Sequence, residues 1–247
     1  SGDGSSVITS QNTHNFASAN VRMSKNTDWG ATAYLSDSIY GRGTSEVWIN
    51  NCDHDVNNTQ IGGDTYNDHT GWAGTSVNAS KQSSCSAYTT AYNNSNQAYH
   101  GTIGVHASTT DNVYGIYDMS GGNFEYVMGN YDNIISSSGF SALPDGKYFN
   151  NYPSNVFTSN GYYTNNNQCT FQTCGGQALH EIKTAQPISG GSQSWGGDNS
   201  YFVYSSYPWF GRGGNGNNAA NAGLWSANNV NGSANINYGW RAVASAY

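Results

Sequence analysis

Charge is what this chain has least of. Only 9% of its 247 residues are Asp, Glu, Lys or Arg, and eight basic residues against fifteen acidic ones leave a net charge of −7. So few cations exclude the phosphate-neutralising footprint by which proteins hold nucleic acid. Apolar runs are short as well. None approaches the roughly 20 residues that cross a bilayer, so direct membrane insertion of this stretch is not expected; no signal peptide is visible, which leaves a native export signal or anchor open. Helical periodicity is scarce and leaves room only for short helices. Metal-ligand spacing is missing: there is no CxxC pair, and the six histidines (His14, His54, His69, His100, His106, His180) form no HExxH. No G-x-S-x-G elbow marks a serine hydrolase. Asp3, Asp28, Asp37, Asp53, Asp55, Asp64 and Asp68 read as solvated turn residues rather than a paired acid and base.

What is abundant is neutral polarity and aromatic area, with 31 Gly, 19 Tyr and 7 Trp. Amides and hydroxyls keep such a chain in solution and make adaptable hydrogen-bonding surfaces, to which Tyr and Trp add rigid contact area. The length suffices for a substantial core. Residues 1–20 read as a tether or cloning remnant, and 21–247 as one domain, with no repeat of fixed period and no separating linker. Four cysteines, Cys52, Cys85, Cys169 and Cys174, allow three pairings. Sequence proximity favours Cys52 with Cys85 and Cys169 with Cys174, which suits an oxidising, extracellular setting, with a soft-metal thiolate site as the competing reading.

Residues 28–35 (DWGATAYL) predict a brief helix and 45–49 (SEVWI) a strand. Between 50 and 102 turn-forming residues predict long surface loops. "VYGIYDMSGGNFEYVMGNY", from Val113, reads as core with a turn at Ser120, Gly121 and Gly122, and "YFVYSSYPWFGRGG" as a strand-like run ending in a glycine turn. Nine asparagines then fall between Asn215 and Asn237. A tract of this composition usually stays disordered for want of apolar surface. Trp209, Phe210, Leu224, Trp225, Ile236 and Trp240 run through it and argue for a folded segment.

Three segments carry a resemblance to a known family. "YGIYDMSGGNFEYV", residues 114–127, is similar to the G-L-Y-D-M-x-G-N-V-W-E-W signature of the formylglycine-generating enzyme (sulfatase-modifying factor) domain, a branch of the C-type-lectin fold. Arg212, Gly213 and Gly214, then Gly239, Trp240 and Arg241, match its C-terminal R-G-G and G-F-R pair, and "DWGATAYLS" extends the resemblance over most of the chain. It implies an α+β, C-type-lectin-like, loop-rich fold with short helices and small antiparallel sheets. The enzymes of that family place a copper-binding cysteine pair between the two C-terminal elements, whereas 215–238 here holds no cysteine. Without thiolates in that interval the Cu(I) ligand set is missing, and the copper oxidase becomes the minor alternative.

The Asn-rich interval resembles instead the variable region of proteins diversified by retroelements, in which template adenines, and hence asparagine codons, are the favoured sites of change. The resemblance implies a non-enzymatic, receptor- or adhesin-type binder whose residues 205–243 form a variable ligand surface. Arg212, Gly213, Gly214, Ala222, Gly223, Gly239 and Arg241 would keep the fold. Gly211, Asn215, Gly216, Asn217, Asn221, Ser226, Asn228, Val230, Asn235, Asn237 and Tyr238 would be displayed. Trp225 and Tyr207 read either as core or as exposed anchors, and Trp209, Leu224 and Trp240 as core or support. Each asparagine alone reads as a turn residue; the cluster between anchors points to a surface. Asp118, Gly121, Asn123 and Glu125 correspond to a stretch that binds calcium in the family. Here they read equally as a structural calcium site or as a turn capped by its own carboxylates. The sugar-binding motifs of C-type lectins (Glu-Pro-Asn, Gln-Pro-Asp, Trp-Asn-Asp) are absent. The expected partner is a macromolecule, a protein on another cell or virus. The expected location is extracellular or surface-displayed, on a bacterial cell, a pilus-like structure or a virion. A fixed-specificity surface adhesin of the same fold is the other alternative.

Overall fold

A computed structural model describes residues 6–7, 19–51, 71, 104–158, 169–181 and 192–246. Two short strands, β1 (Ser6–Val7) and β2 (Ala19–Met23), precede helix α1 (Asn26–Ser36). Strands β3 (Phe124–Tyr131) and β4 (Asn150–Tyr152) lead to a single helical turn, α2 (Phe171–Cys174). After it come β5 (Ser192–Gln193), β6 (Asn199–Ser200), β7 (Trp209–Gly213), β8 (Gly223–Val230), β9 (Tyr238–Trp240) and β10 (Ala242–Ala246). The architecture is mixed α and β and rich in loops. None of the described helices is long and apolar enough to cross a membrane.

Helix α1 realises the short apolar pattern seen in the sequence. Asp28, three residues past the extended Lys25, accepts the Lys25 N–H at 2.7 Å and pairs with Arg22, so the first turn is capped by its own carboxylate. Burial works against that charge, but the bonds from Arg22 and Lys25 hold the Asp28 carboxyl below its ordinary range. Asn26, Trp29, Gly30, Ala33 and Ser36 recur every three or four residues and form the buried stripe. At Gly30 the approach of another backbone requires glycine: an added Cβ would stand 2.7 Å from the Gln177 Cα.

Strand β2 pairs antiparallel with β1 and with β10 in a three-stranded sheet. The larger sheet runs β4, β3, β7, β8, β6, β5, with β9 pairing β3. Since β7 occupies one edge of β3, β9 and β4 share the other, β9 along residues 124–126 and β4 along 129–131. This sheet is mixed, which corrects the expectation of small antiparallel sheets: β4 and β9 run parallel to β3, and β6 parallel to β8. Parallel neighbours need long crossover connections, and nothing local in a sequence marks them. Successive β3 residues serve opposite faces. Val127 joins Trp29, Tyr152, Phe202 and Phe210 in one core cluster, and Met128 joins Phe149, Trp209 and Val230 in another.

Residues 45–49 are not a strand. Val47 and Ile49 are buried, but pairing is limited to one bridge between Asn50 and Gly121. The stretch expected as core from Val113 enters the core only at Met119, because Asn112 Oδ1 caps the Tyr114 N–H at 2.9 Å and turns Val113, Tyr114 and Ile116 outward. In "YFVYSSYPWFGRGG" pairing is confined to a bridge between Tyr204 and Tyr207 until β7 begins at Trp209. The Cys169–Cys174 disulfide is present across α2, with Cα atoms 5.2 Å apart. Cys52 and Cys85 lie outside the described residues.

A polar network runs through the larger core. Arg212, wholly buried on β7, donates to Asn26 Oδ1 (3.3 Å), Ala178 O (2.9 Å) and Leu224 O (3.4 Å). Asn26 donates to the Tyr152 hydroxyl at 2.8 Å, and that hydroxyl to Gln177. Burial pulls the Arg212 pKa down to about 10, which leaves it a cation at neutral pH. Beside the network Glu181, 4% exposed, takes a hydrogen bond from the Tyr34 hydroxyl and lies 2.9 Å from His180 Nδ1. Burial pushes its pKa up from 4.5 to about 7. A carboxyl raised on folding stabilises fully below its ordinary pKa, and that contribution is lost as pH rises through 7. His180, lowered by burial, works in the opposite sense as pH falls. Glu181→Gln, which keeps the neutral form at every pH, is therefore expected to match the parent near pH 5 and to exceed it at pH 8 by about 1–2 kcal/mol in urea unfolding.

Candidate ligand-binding surface

The two Asn-rich loops converge on the turn that precedes β3. Gly121 and Gly122 hold φ of +77° and +63° there, a conformation that favours glycine. The Gly121 N–H bonds Gly213 O at 3.0 Å, and the Gly216 N–H bonds Gly122 O at 3.0 Å. Phe124 N–H in turn bonds Asn237 O at 3.1 Å. The loop between β7 and β8 and the segment entering β9 are thus stitched to one short stretch of backbone.

Within those loops the asparagines largely serve their own turns. Asn215 Oδ1 accepts the Asn217 N–H at 3.0 Å, Asn218 Oδ1 the Asn215 N–H at 2.8 Å, and Asn235 Oδ1 the Asn237 N–H at 2.8 Å. Asn217, Asn221 and Asn235 remain exposed, while Asn215 and Asn237 are half-buried. Ile236 and Trp240 are 71% and 61% exposed, so Trp240, expected as core or support, stands in solvent.

Farther along the sheet, Tyr238 stacks on Phe124 with ring centroids 5.2 Å apart and packs on Tyr126 at 4.8 Å. Its hydroxyl accepts from Asn228 Nδ2 at 3.3 Å, and Gly211 leaves room for its ring. Of the positions singled out in the sequence, Gly211, Asn228 and Tyr238 therefore meet on one face, with Asn235 and Asn237 leading into it.

Five expected display positions are buried: Gly211, Gly216, Trp225, Ser226 and Val230. Gly211 and Gly216 offer only backbone. Val230 belongs to the cluster around Trp209. Trp225 and Ser226, 5% and 2% exposed, are taken inward by an irregularity of β8. Arg212 pairs with Ala227, but the next residue, Gly213, pairs with Gly223, so Leu224, Trp225 and Ser226 bulge from the ladder. Trp29 Nε1 donates to Leu224 O at 2.7 Å, Ser194 Oγ to Trp225 O at 2.9 Å, and Trp225 N–H to Asp198 at 2.8 Å. Trp225 is thus core, while Tyr207 is 43% exposed at its hairpin.

Asp118, Gly121, Asn123 and Glu125 do come together, around an open cavity of about 350 Å³ that Trp240 and Arg241 also line. Part of their oxygen set is already engaged. Both Glu125 oxygens are taken by the Arg241 Nε and Nη2, Arg241 also donates to Asp118 O at 2.9 Å, and Asp118 Oδ1 accepts from Asn50 and Gly71. A guanidinium thus stands among these oxygens, while the buried Asn123 Oδ1 on the same cavity has no hydrogen-bond partner among the described residues. Burial raises the Glu125 pKa above its ordinary value, against the pull of Arg241. Sequence reasoning found Glu125 and Arg241 separately, through two motifs, and missed that they bond to each other.

No protein-family model matches the chain, and a search of curated proteins finds no match.

Proposed function

We propose that this is a non-enzymatic binding protein with a C-type-lectin fold, whose residues 205–243 present a ligand surface diversified by a retroelement. One observation carries the reading. Exposed asparagines sit on loops whose ends are fixed by two buried or half-buried cations, Arg212 in the core network and Arg241 on Glu125. Side chains at Asn217, Asn221 and Asn235 are exposed, and the loop bases are held by backbone bonds and by the two arginines, so replacement of these side chains is expected to leave the bases in place.

The mixed, loop-rich architecture agrees with the proposed fold. The ligand is a protein on another cell or virus, for which an open array of amides, Ile236, Tyr238 and Trp240 is better suited than for a small molecule. Display outside the cell agrees with the Cys169–Cys174 disulfide.

Sequencing the locus from many cells of one population tests the reading, with codons 201–247 compared with 1–200. The expected result is substitution confined to adenines of the last segment, with a near-copy of it beside a reverse transcriptase gene. An unvarying segment would overturn it and leave a fixed-specificity adhesin.

A further inference from the structure

Away from the asparagine loops, the bulge in β8 forms one wall of a partly open cavity of about 120 Å³. Asp37, Glu46 and Asp198 line it together with Trp195, Gly196 and Trp225. The acids come from two parts of the chain, Asp37 and Glu46 from one short stretch and Asp198 from far beyond it. Trp225 holds two of them apart, its indole N–H on Asp37 Oδ2 at 3.0 Å and its backbone N–H on Asp198 Oδ2 at 2.8 Å.

Asp198 is only 3% exposed, and its other oxygen has no hydrogen-bond partner among the described residues. That oxygen and Glu46 Oε1 converge on Gly196: a Cβ placed there would lie 3.3 Å from the first and 3.1 Å from the second. Glycine keeps the space between the two oxygens open.

No ion pair neutralises these acids among the described residues. Arg42 is committed to Asp111, and Arg212 donates to Asn26, Ala178 and Leu224. Burial first holds the Glu46 and Asp198 carboxyls above their ordinary range; Asp37 adds repulsion to both and Glu46 adds it to Asp198, against the Trp225 backbone N–H and the Arg212 charge, which pull Asp198 down. The Arg212 charge does so without bonding to Asp198, and a buried carboxylate that lacks an ion-pair partner is costly to keep. Two indoles complete the wall, Trp195 and Trp225, with ring centroids 4.8 Å apart at 61°. Trp195 is 40% exposed, which puts the cavity within reach of solvent.

We propose that this cavity binds an alkylammonium group, from a small amine or from a lysine side chain of a protein partner. The carboxylate oxygens at Gly196 receive the N–H groups, and the indoles cover the cation and its stem. The space equals that of about four waters, enough for an ammonium and a short stem. A bare metal ion fits less well, since no group of three or more His, Cys, Asp or Glu among the described residues is arranged to hold one. The inference holds whether or not the asparagine segment varies.

The test is titration of the full chain with n-butylammonium chloride at fixed ionic strength, followed by tryptophan fluorescence and calorimetry. Saturable binding with a roughly millimolar constant is expected, at least about tenfold tighter than n-butanol. Glu46→Gln and Trp195→Ala alter exposed groups and leave the buried acid in place, and each should weaken binding about fivefold or more. Absence of saturation, or unchanged affinity in both variants, overturns the proposal. Tighter binding of calcium chloride that Glu46→Gln abolishes also overturns it, in favour of an inorganic cation. Nα-acetyl-lysine amide separates the two sources. Affinity within about threefold of the free amine assigns a lysine side chain, and a loss of about tenfold assigns a small amine.

Discussion

Arg212→Met is expected to destabilise the fold by about 3–5 kcal/mol, a fall in Tm of roughly 6–20 °C for a chain of this size. Methionine fills much of the volume but donates nothing. Asn26 Oδ1 and the carbonyls of Ala178 and Leu224 would lose a donor inside the core, and each stranded buried acceptor costs about 1–3 kcal/mol. The guanidinium also lies 5.5 Å from the Trp29 ring centroid, and its charge pulls the Asp198 and Glu181 carboxyls down. Urea unfolding of parent and variant at one pH reads the difference. A loss below about 1 kcal/mol would mean that apolar packing replaces the network, as it does for some buried ion pairs.

Arg241→Leu is expected to cost about 2–4 kcal/mol at pH 8 and distinctly less at pH 5. Glu125 is 8% exposed and would lose the donors of both its oxygens, while Asp118 O would lose a third bond. The sign of the pH effect follows from burial, which already raises the Glu125 carboxyl while Arg241 opposes the rise. A folded-state pKa above the unfolded one gives stability that is full at low pH and is lost as pH climbs through the folded value. Removing the guanidinium lifts that value further, so the penalty grows toward alkaline pH. Adding Glu125→Gln to Arg241→Leu should recover more than half of the loss at pH 8, and thermal melts at the two pH values compare all three chains. Recovery that is the same at both pH values would rule out the charge of Glu125 as the cause.

Parts of this molecule can be read directly from its sequence. Trp29 and Ala33 sit at helical spacing behind an acidic first turn, so α1 follows from local rules. The glycines after Arg212 announce the turn they make, with φ of +85° and +71° at Gly213 and Gly214. Trp225 shows where local reading fails. Its inward course depends on a slip in the pairing of β7 with β8, and that slip is stabilised by Trp29, Ser194 and Asp198, none of them near in sequence. Glu125 and Arg241 were both visible as motif residues, yet their meeting depends on β9 lying parallel to β3, a pairing set by topology. Asp37, read as a solvated turn residue, meets Asp198 at one cavity for the same reason. Residue type and spacing report what a segment prefers; the partner across a sheet is decided by the rest of the chain.

The pairing of β2 with β10 has a consequence for biosynthesis. Met23 faces Ala242 and Ala19 faces Ala246, partners about 220 residues apart. A nascent chain therefore carries β2 without its neighbour until the residues beyond the asparagine segment have left the ribosome. Contacts of such separation form late and slowly. A product truncated within residues 215–238 would lack both Arg241 and β10, leaving Glu125 unpaired and a strand edge open. Quality-control proteases recognise such a molecule by its instability. Only copies read through to Ala246 would then escape that removal.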